Sequence, residues 1–313
     1  MTRFQALTRA TVIATLILIA VGSVVRTSGS GLGCPDWPLC HGRPIPPLER
    51  TALIEWSHRT VASLTGLLIV AQTAWAFLRY RVDRALTGVA LATVPLLAVQ
   101  AILGREAVVR ELPPGVVAVH MVSALLLLGL LTVLAVLASL GPARVRDSAT
   151  ARAGLRASTR LLVIVLGAVM ALGAYNLASG AGFACPAWPG CPGAPLPFLS
   201  GDRLQHVHWL HRLTVAGGLA VAALVAWRVR ALHDVPRPIV GATLAVLALY
   251  LLQALIGAAT IWSDFAGVLR SAHVLAGATV WALAVALATG AHYEHDRLPS
   301  PRPARPVESG RHG

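Results

Sequence analysis

Eight stretches of this chain carry almost no charge: residues roughly 10–25, 60–78, 85–104, 114–140, 161–178, 209–227, 238–260 and 271–291. Each approaches the ~20 apolar residues needed to cross the hydrocarbon of a bilayer, although the first and sixth are short. Backbone amides have no water to bond inside lipid, so spanning stretches of this kind must be helices. The chain is 56% hydrophobic and only 12% charged over 313 residues, well below the roughly one-quarter charged content with which a soluble domain covers its surface. It reads as an all-α integral membrane protein with eight transmembrane helices. The first stretch follows Arg3 and Arg9 as a signal peptide would. No small-residue cleavage site leading into a polar domain comes after it, so it is expected to be a retained span.

Arginine sets the orientation, because the chain has no lysine. The N-terminus, 79–84, 144–160, 228–237 and the segment after 292 hold 17 of the 26 arginines; the intervening loops hold nine. The richer set is expected on the cytoplasmic side, which places both termini inside and the long loops 26–58 and 179–208 outside. The formal charge of +13 is therefore a topology signal directed at anionic lipid, and nucleic-acid binding does not follow from it.

The chain repeats itself. Ser28-Gly29-Ser30-Gly31-Leu32-Gly33-Cys34-Pro35-Asp36-Trp37-Pro38-Leu39-Cys40 matches the segment Ser179 to Cys191 at an offset of 151, and Gln100-Ala101-Ile102-Leu103-Gly104 matches Gln253 to Gly257 at an offset of 153. Four spans per half give parallel repeats, so two pseudo-symmetric four-helix bundles related by an axis near the membrane normal are expected. The reading divides the chain into an N-terminal half (1–140), a cytoplasmic connector (141–160) opened by Gly141-Pro142, a C-terminal half (161–296) and a Pro/Arg-rich tail (297–313) expected to be disordered.

Histidine follows the same frame. Glu55-Trp56-Ser57-His58-Arg59 pairs with His120, and His208-Trp209-Leu210-His211-Arg212 pairs with His273; the interval is 62 residues in both halves. Spans 2 and 4 run in the same direction, as do 6 and 8, so each pair should meet at similar depth near the outer face. Two imidazoles on helices of one bundle suit the axial positions of a heme iron. Buried polar packing is the ordinary role of a lone histidine, but four at a repeated spacing inside a membrane mark ligands or a pathway. Zinc would ask for further carboxylate or thiolate ligands at the same level. His41, His206, His233, His292, His295 and His312 are read as loop or terminal side chains.

The halves differ at one chemically telling position, where Glu55 in the first is His208 in the second. A carboxylate beside one iron can accept protons; the alternative is that Glu55 caps the start of its helix. Arg59 and Arg212 are expected either to face the carboxylates of a cofactor or to snorkel to lipid phosphate. Arg26, Arg105, Glu106 and Arg110 are further candidates for shaping the first pocket. Cys34/Cys40 and Cys185/Cys191 all fall on the outer side, where disulfides closing each loop are expected. A metal held by Cys34, Cys40 and His41, and thiol exchange at the first pair, are the alternatives; neither pair has the C-x-x-C spacing of a dithiol oxidoreductase.

Taken together, the outer loop from Gly29 to Cys40, the Glu55-to-Arg59 run, His120, His211-Arg212 and His273 resemble the heme A synthases, the CtaA/Cox15 family, over about residues 8–291. The resemblance implies oxidation of the C8 methyl group of heme O to the formyl group of heme A for a terminal oxidase, by successive hydroxylations. It implies that heme O, the substrate, lies between His58 and His120, and that heme b is held by His211 and His273. It further gives Glu55 a catalytic part and Cys34 and Cys40 a disulfide with a redox role. The implied setting is a bacterial cell membrane, with heme O synthase and oxidase assembly factors as partners; the electron donor and oligomeric state stay open. A di-heme b-type cytochrome passing electrons from quinol, and a heme transporter, are the competing functions.

Overall fold

The computed structural model describes residues 1–140, 150–192, 202–232 and 235–293, the side chains of 150–152 excepted. It contains α1 (Arg3–Thr27), α2 (Arg50–Arg79), α3 (Arg84–Val109), α4 (Pro114–Leu140), α5 (Thr150–Ala178), α6 (Arg203–Ala231), α7 (Arg237–Trp262) and α8 (Gly267–His292), with a short 3-10 turn at Ala181–Phe183. All eight long helices are apolar enough to cross a membrane, and no strand occurs among the described residues.

The helices outrun the charge-free stretches. α2 begins at Arg50, ten residues before the apolar run, and so takes Glu55, His58 and Arg59 into its first turns. Absence of charge marks only the length in contact with hydrocarbon, whereas a helix continues into the interface as long as its polar side chains find partners. For the same reason the connector expected over 141–160 is shorter: α5 is already helical from Thr150. Residues 141–149, the tail from 297, and His233, His295 and His312 lie outside the described residues.

Within the first half each helix packs on its neighbours in the order α1–α2–α3–α4–α1, and the second half repeats this as α5–α6–α7–α8–α5. Among the described residues no Cα of α2 comes within 8 Å of α4, and none of α6 within 8 Å of α8. Each half is therefore a four-helix ring whose diagonal members face one another across an interior.

The rings join through α4 against α8, flanked by two equivalent seams, α1–α8 and α4–α5. That arrangement is what a two-fold axis running between α4 and α8 requires. These two helices bury 44% and 50% of their most apolar windows, against 22–33% for the other six, which places them at the centre. Trp281 of α8 fastens the join, donating its indole N–H to the Leu125 carbonyl of α4 at 2.7 Å. Its ring fits because Gly129 has no side chain: a Cβ there would sit 3.3 Å from the indole nitrogen. On the outside, Leu67, Ile164 and Leu255 are exposed, as a lipid-facing surface requires.

The turns that aim α4 and α8 are also repeated. Glu111 and Leu112 adopt φ of 57° and 61°, and Asp264 and Phe265, 153 positions later, adopt 53° and 61°. In both corners an N–H reaches back five residues, Leu112 to Ala107 at 2.7 Å and Phe265 to Thr260 at 2.8 Å. This is a helix C-terminus closed in the Schellman manner without glycine.

Candidate functional site

His58 stands eight residues after the start of α2 and His211 eight after the start of α6; His120 and His273 stand six after the starts of α4 and α8. At 1.5 Å per residue these are depths of about 12 and about 9 Å. Each pair is carried by the diagonal helices of its ring, and within each pair the rings are in electrostatic reach of one another.

Every one of the four rings lies against a glycine of the preceding helix. A Cβ at Gly22 would come 2.9 Å from His58 Cε1, at Gly104 3.3 Å from His120 Cε1, at Gly173 3.0 Å from His211 Cε1 and at Gly257 2.9 Å from His273 Cε1. All four glycines sit five residues before the C-terminus of their helix, α1, α3, α5 or α7. Each half is thus two helical hairpins with a glycine on one arm and an imidazole seated on it by the other. The sequence reading includes Gly104 and Gly257 in its repeat at an offset of 153 but gives no role to them or to Gly22 and Gly173, which lie 151 apart. A repeat search weighted toward reactive side chains discards the residue whose contribution is to have none.

Two glutamines hold the histidine backbones. Gln100 donates its amide to the His120 carbonyl at 3.2 Å, and Gln253 donates to the His273 carbonyl at 2.8 Å. Ser123 completes the first by bonding the Gln100 oxygen. The Nδ1 atoms of His58, His120, His211 and His273 are all buried and make no hydrogen bond of ordinary geometry, although the His120, His211 and His273 rings lie near the Gln100, Val169 and Gln253 carbonyls. The two halves thus repeat one environment for each ring: buried, seated on a glycine and with Nδ1 outside any ordinary hydrogen bond. The donor set fits an iron porphyrin gripped from both faces: two neutral-capable imidazoles opposite each other, on helices kept apart. Among the described residues no three His, Cys, Asp or Glu side chains gather as ligands for a bare ion.

The loops that follow α1 and α5 are each closed by a disulfide. Cys34–Cys40 and Cys185–Cys191 are disulfides with Cα separations of 4.6 and 4.8 Å. Both are buried, the first against Ala52 and Trp56, the second against Trp209. Trp37-Pro38 and Trp188-Pro189 are cis. A thiol attacking Cys34 or Cys40 has no open approach, which weighs against exchange chemistry in this conformation.

Arg59 and Arg212 do something other than expected. Arg59 donates to the carbonyls of Cys34 (2.8 Å), Asp36 (2.7 Å) and Leu39 (2.8 Å) and to Glu55 Oε1 (3.0 Å). Arg212 donates to the carbonyls of Pro189 (2.8 Å), Gly190 (2.7 Å), Ala187 (2.9 Å) and Cys185 (3.4 Å). Each guanidinium is the hub of its disulfide loop. The terminal nitrogens of both guanidiniums are given to loop carbonyls, and the Arg212 Nε alone is left buried without a protein partner. Arg105 and Arg110 are likewise engaged, both with Glu106 at the surface.

Glu55 is buried, on the same helix face as His58 and one turn from Arg59. It makes no cap hydrogen bond at the start of α2, whose N-cap is Glu49. One carboxylate oxygen takes the Arg59 N–H, and the other has no protein donor among the described residues. In the second half His208 occupies this place, buried with its Nδ1 unpartnered, and the Arg212 Nε is unpartnered as well. The first site therefore has an ion pair where the second has only neutral or cationic groups.

The first loop has one further device. Asp36 accepts the N–H of Gly42 at 2.7 Å and of His41 at 2.6 Å, and the Gly42 bond foremost holds its carboxyl below the ordinary carboxylate range. The equivalent residue is Ala187. A carboxyl whose folded pKa is depressed adds stability above its unfolded pKa, about 3.9, and loses it as pH falls toward the folded value. Hydrogen exchange should therefore show protection at the His41 and Gly42 amides that fades on acidification below about pH 4. Asp36→Asn should remove that dependence, and a loop whose protection ignores both changes would contradict the assignment.

Two rings of four membrane-crossing helices, each carrying a glycine-backed histidine pair and a disulfide-closed loop, define a polytopic membrane protein with two matched histidine sites. Sequence comparison narrows this. The profile of the cytochrome oxidase assembly protein family, COX15-CtaA, matches residues 5–285, and the chain belongs to that family. It is 32% identical over 225 residues to a heme A synthase of Symbiobacterium thermophilum, covering 70% of this chain and 73% of that protein. Heme A synthases of Exiguobacterium sp. (36% over 196 residues, 61% of this chain and 63% of the relative) and Alkalihalophilus pseudofirmus (32% over 206 residues, 65% and 68%) are also similar.

Proposed function

We propose that this chain is a heme A synthase, oxidising the C8 methyl group of heme O to a formyl group by successive hydroxylations. The observation that carries the reading is an asymmetry within a duplicated frame. Two imidazole pairs are matched in depth, backing glycine and supporting glutamine, yet only the first has a buried carboxylate, Glu55, beside it. Two electron-carrying sites have no use for that difference; one reacting and one relaying site do. The family membership and the names of its relatives point the same way.

In this reading the N-terminal half takes heme O between His58 and His120, and the C-terminal half holds heme b between His211 and His273. Bound there, heme b supplies one-electron transfer. The protein's own contribution is placement and proton handling. Gly22 and Gly104 let the first imidazole pair sit deep against α1 and α3. Gln100 fixes the His120 backbone, and the free oxygen of Glu55 takes up protons released at the reacting carbon. Arg59 pairs with Glu55 and ties it to the disulfide loop of the first half. The arginine-rich ends face the cytoplasm, so both sites lie toward the extracytoplasmic side. A heme O synthase supplies the substrate and oxidase assembly factors receive the product.

The test is pigment extraction from cells that make heme O and express this chain. Heme A should accumulate as heme O falls. Unchanged heme O beside an intact low-spin b-type spectrum sinks the synthase reading in favour of a di-heme cytochrome.

A further inference from the structure

Arg26 and Arg270 meet at the outer end of the α1–α8 seam. Arg270 donates to the Thr27 carbonyl at 3.3 Å, the residue directly after Arg26, and Ser271 next to it shares a 3.0 Å hydroxyl bond with Thr27. Arg26 reaches across to the C-terminus of α5, donating to Leu177 (3.3 Å) and Ala178 (3.2 Å). Both side chains are half-buried, and the two cations lie within electrostatic reach of each other. Among the described residues no carboxylate comes within 4.0 Å of either.

Capping a helix C-terminus is a common use of arginine, and it accounts for one nitrogen of each side chain here. It does not account for the convergence of two cations without an acid, nor for the Arg270 Nε, which is buried and unpartnered. Like charges drawn together in a partly buried seam repel, and an anion between them removes the penalty. Nor is the arrangement a by-product of the duplication. At the equivalent α4–α5 seam Arg26 corresponds to Leu177 and Arg270 to Val117, and Val117 lies in an apolar cluster with Ala107, Ala118 and Ala178.

The position says which anion. Arg270 is three residues before His273 on α8, toward the outer face, and rests over the Phe183 ring at 5.4 Å. Arg26 sits at the end of α5, one turn beyond Gly173, the seat of His211. Arg270 therefore stands one turn before one imidazole of the second pair and Arg26 one turn beyond the seat of the other, where the carboxylates of a porphyrin held between those imidazoles would find both cations. Arg212 gives both of its terminal nitrogens to four loop carbonyls and keeps only its Nε, whereas Arg26 and Arg270 each give a single nitrogen to backbone carbonyls.

We propose that Arg26 and Arg270 together bind the propionate carboxylates of the porphyrin held between His211 and His273. This rests on the reading of that pair as a heme b site and adds that the first half supplies one arm of the second half's site. The two halves are then not separable heme modules, because α1 completes the pocket of α5–α8.

The experiment uses the full-length chain with His120→Ala, so that a low-spin signal reports the second pair alone. Purified without heme, it is titrated with ferric protoheme and with protoheme dimethyl ester. The free acid should bind about ten- to hundred-fold tighter than the diester, the effect of a charge-assisted hydrogen bond. In Arg26→Gln/Arg270→Gln the two porphyrins should bind alike, at the diester level, and Arg26→Lys/Arg270→Lys should restore part of the preference. An undiminished preference for the free acid in the glutamine variant overturns the proposal while leaving the heme site intact. So does loss of co-purifying anionic phospholipid from that variant with the preference unchanged, which assigns the cations to lipid phosphate. A chain that gives no low-spin signal with either porphyrin, while circular dichroism shows it folded, overturns the heme b reading itself.

Discussion

Arg59→Ala is expected to destabilise the folded chain by about 3–5 kcal/mol more than Arg212→Ala, because it strands Glu55 as an unpaired buried carboxylate. Both substitutions release a disulfide loop from its central guanidinium: three loop carbonyls lose a donor in the first case and four in the second. The side chains of Arg59 and Glu55 are only 15% and 6% exposed, so water cannot replace the lost partner cheaply. At the second site the neighbour is His208, which is neutral when uncharged and is left with no such debt. Titration of the purified chain from dodecylmaltoside into SDS measures both. Adding Glu55→Gln to Arg59→Ala should recover most of the difference; an equal cost at the two arginines would show that Glu55 is not held as an ion in the folded protein. Alone, Glu55→Gln should leave the low-spin spectrum of the second half in place and lower heme A formation about 10²- to 10⁴-fold, the range of a positioned acid–base group.

The sequence makes the membrane-crossing stretches and the histidine frame plain because both are statements about spacing. Lipid contact removes charge over a fixed length, and duplication copies a histidine interval of 62 residues into both halves. What it hides is the partner of each charged group. Arg59 follows a ligand histidine and looks available to a cofactor, but the loop 20 to 25 residues earlier folds back to claim its donors. Arg26 and Arg270 stand 244 residues apart and become neighbours only when α1 packs on α8. The helix starts were misread for a related reason. Arg50 and Arg203 open α2 and α6 in the interface, where charge is no bar to helix, so apolar runs place those starts several residues too late.

The four seating glycines make the strongest claim about how the imidazoles are placed. If His211 and His273 hold heme b as proposed, His211→Ala or His273→Ala should leave the second half with no low-spin heme. The glycine facing each ring should act on the same signal without touching the ligand. At Gly257 and Gly173 an added Cβ would lie 2.9 and 3.0 Å from the imidazole carbon, so the ring must tilt or the helices part. Gly257→Ala and Gly173→Ala should therefore weaken heme retention, and leucine at either position should abolish it. In the first half the contacts differ, 2.9 Å at Gly22 and 3.3 Å at Gly104, so Gly22→Ala should reduce turnover more than Gly104→Ala. Alanine is otherwise the better helix former by about 1 kcal/mol. Loss of heme or turnover with the helical fold unchanged or firmer in the SDS titration therefore separates displacement of the ligand from damage to the helix. Full low-spin signal in Gly257→Ala, with its affinity for protoheme intact, would mean that the ring does not need its glycine seat to reach the iron.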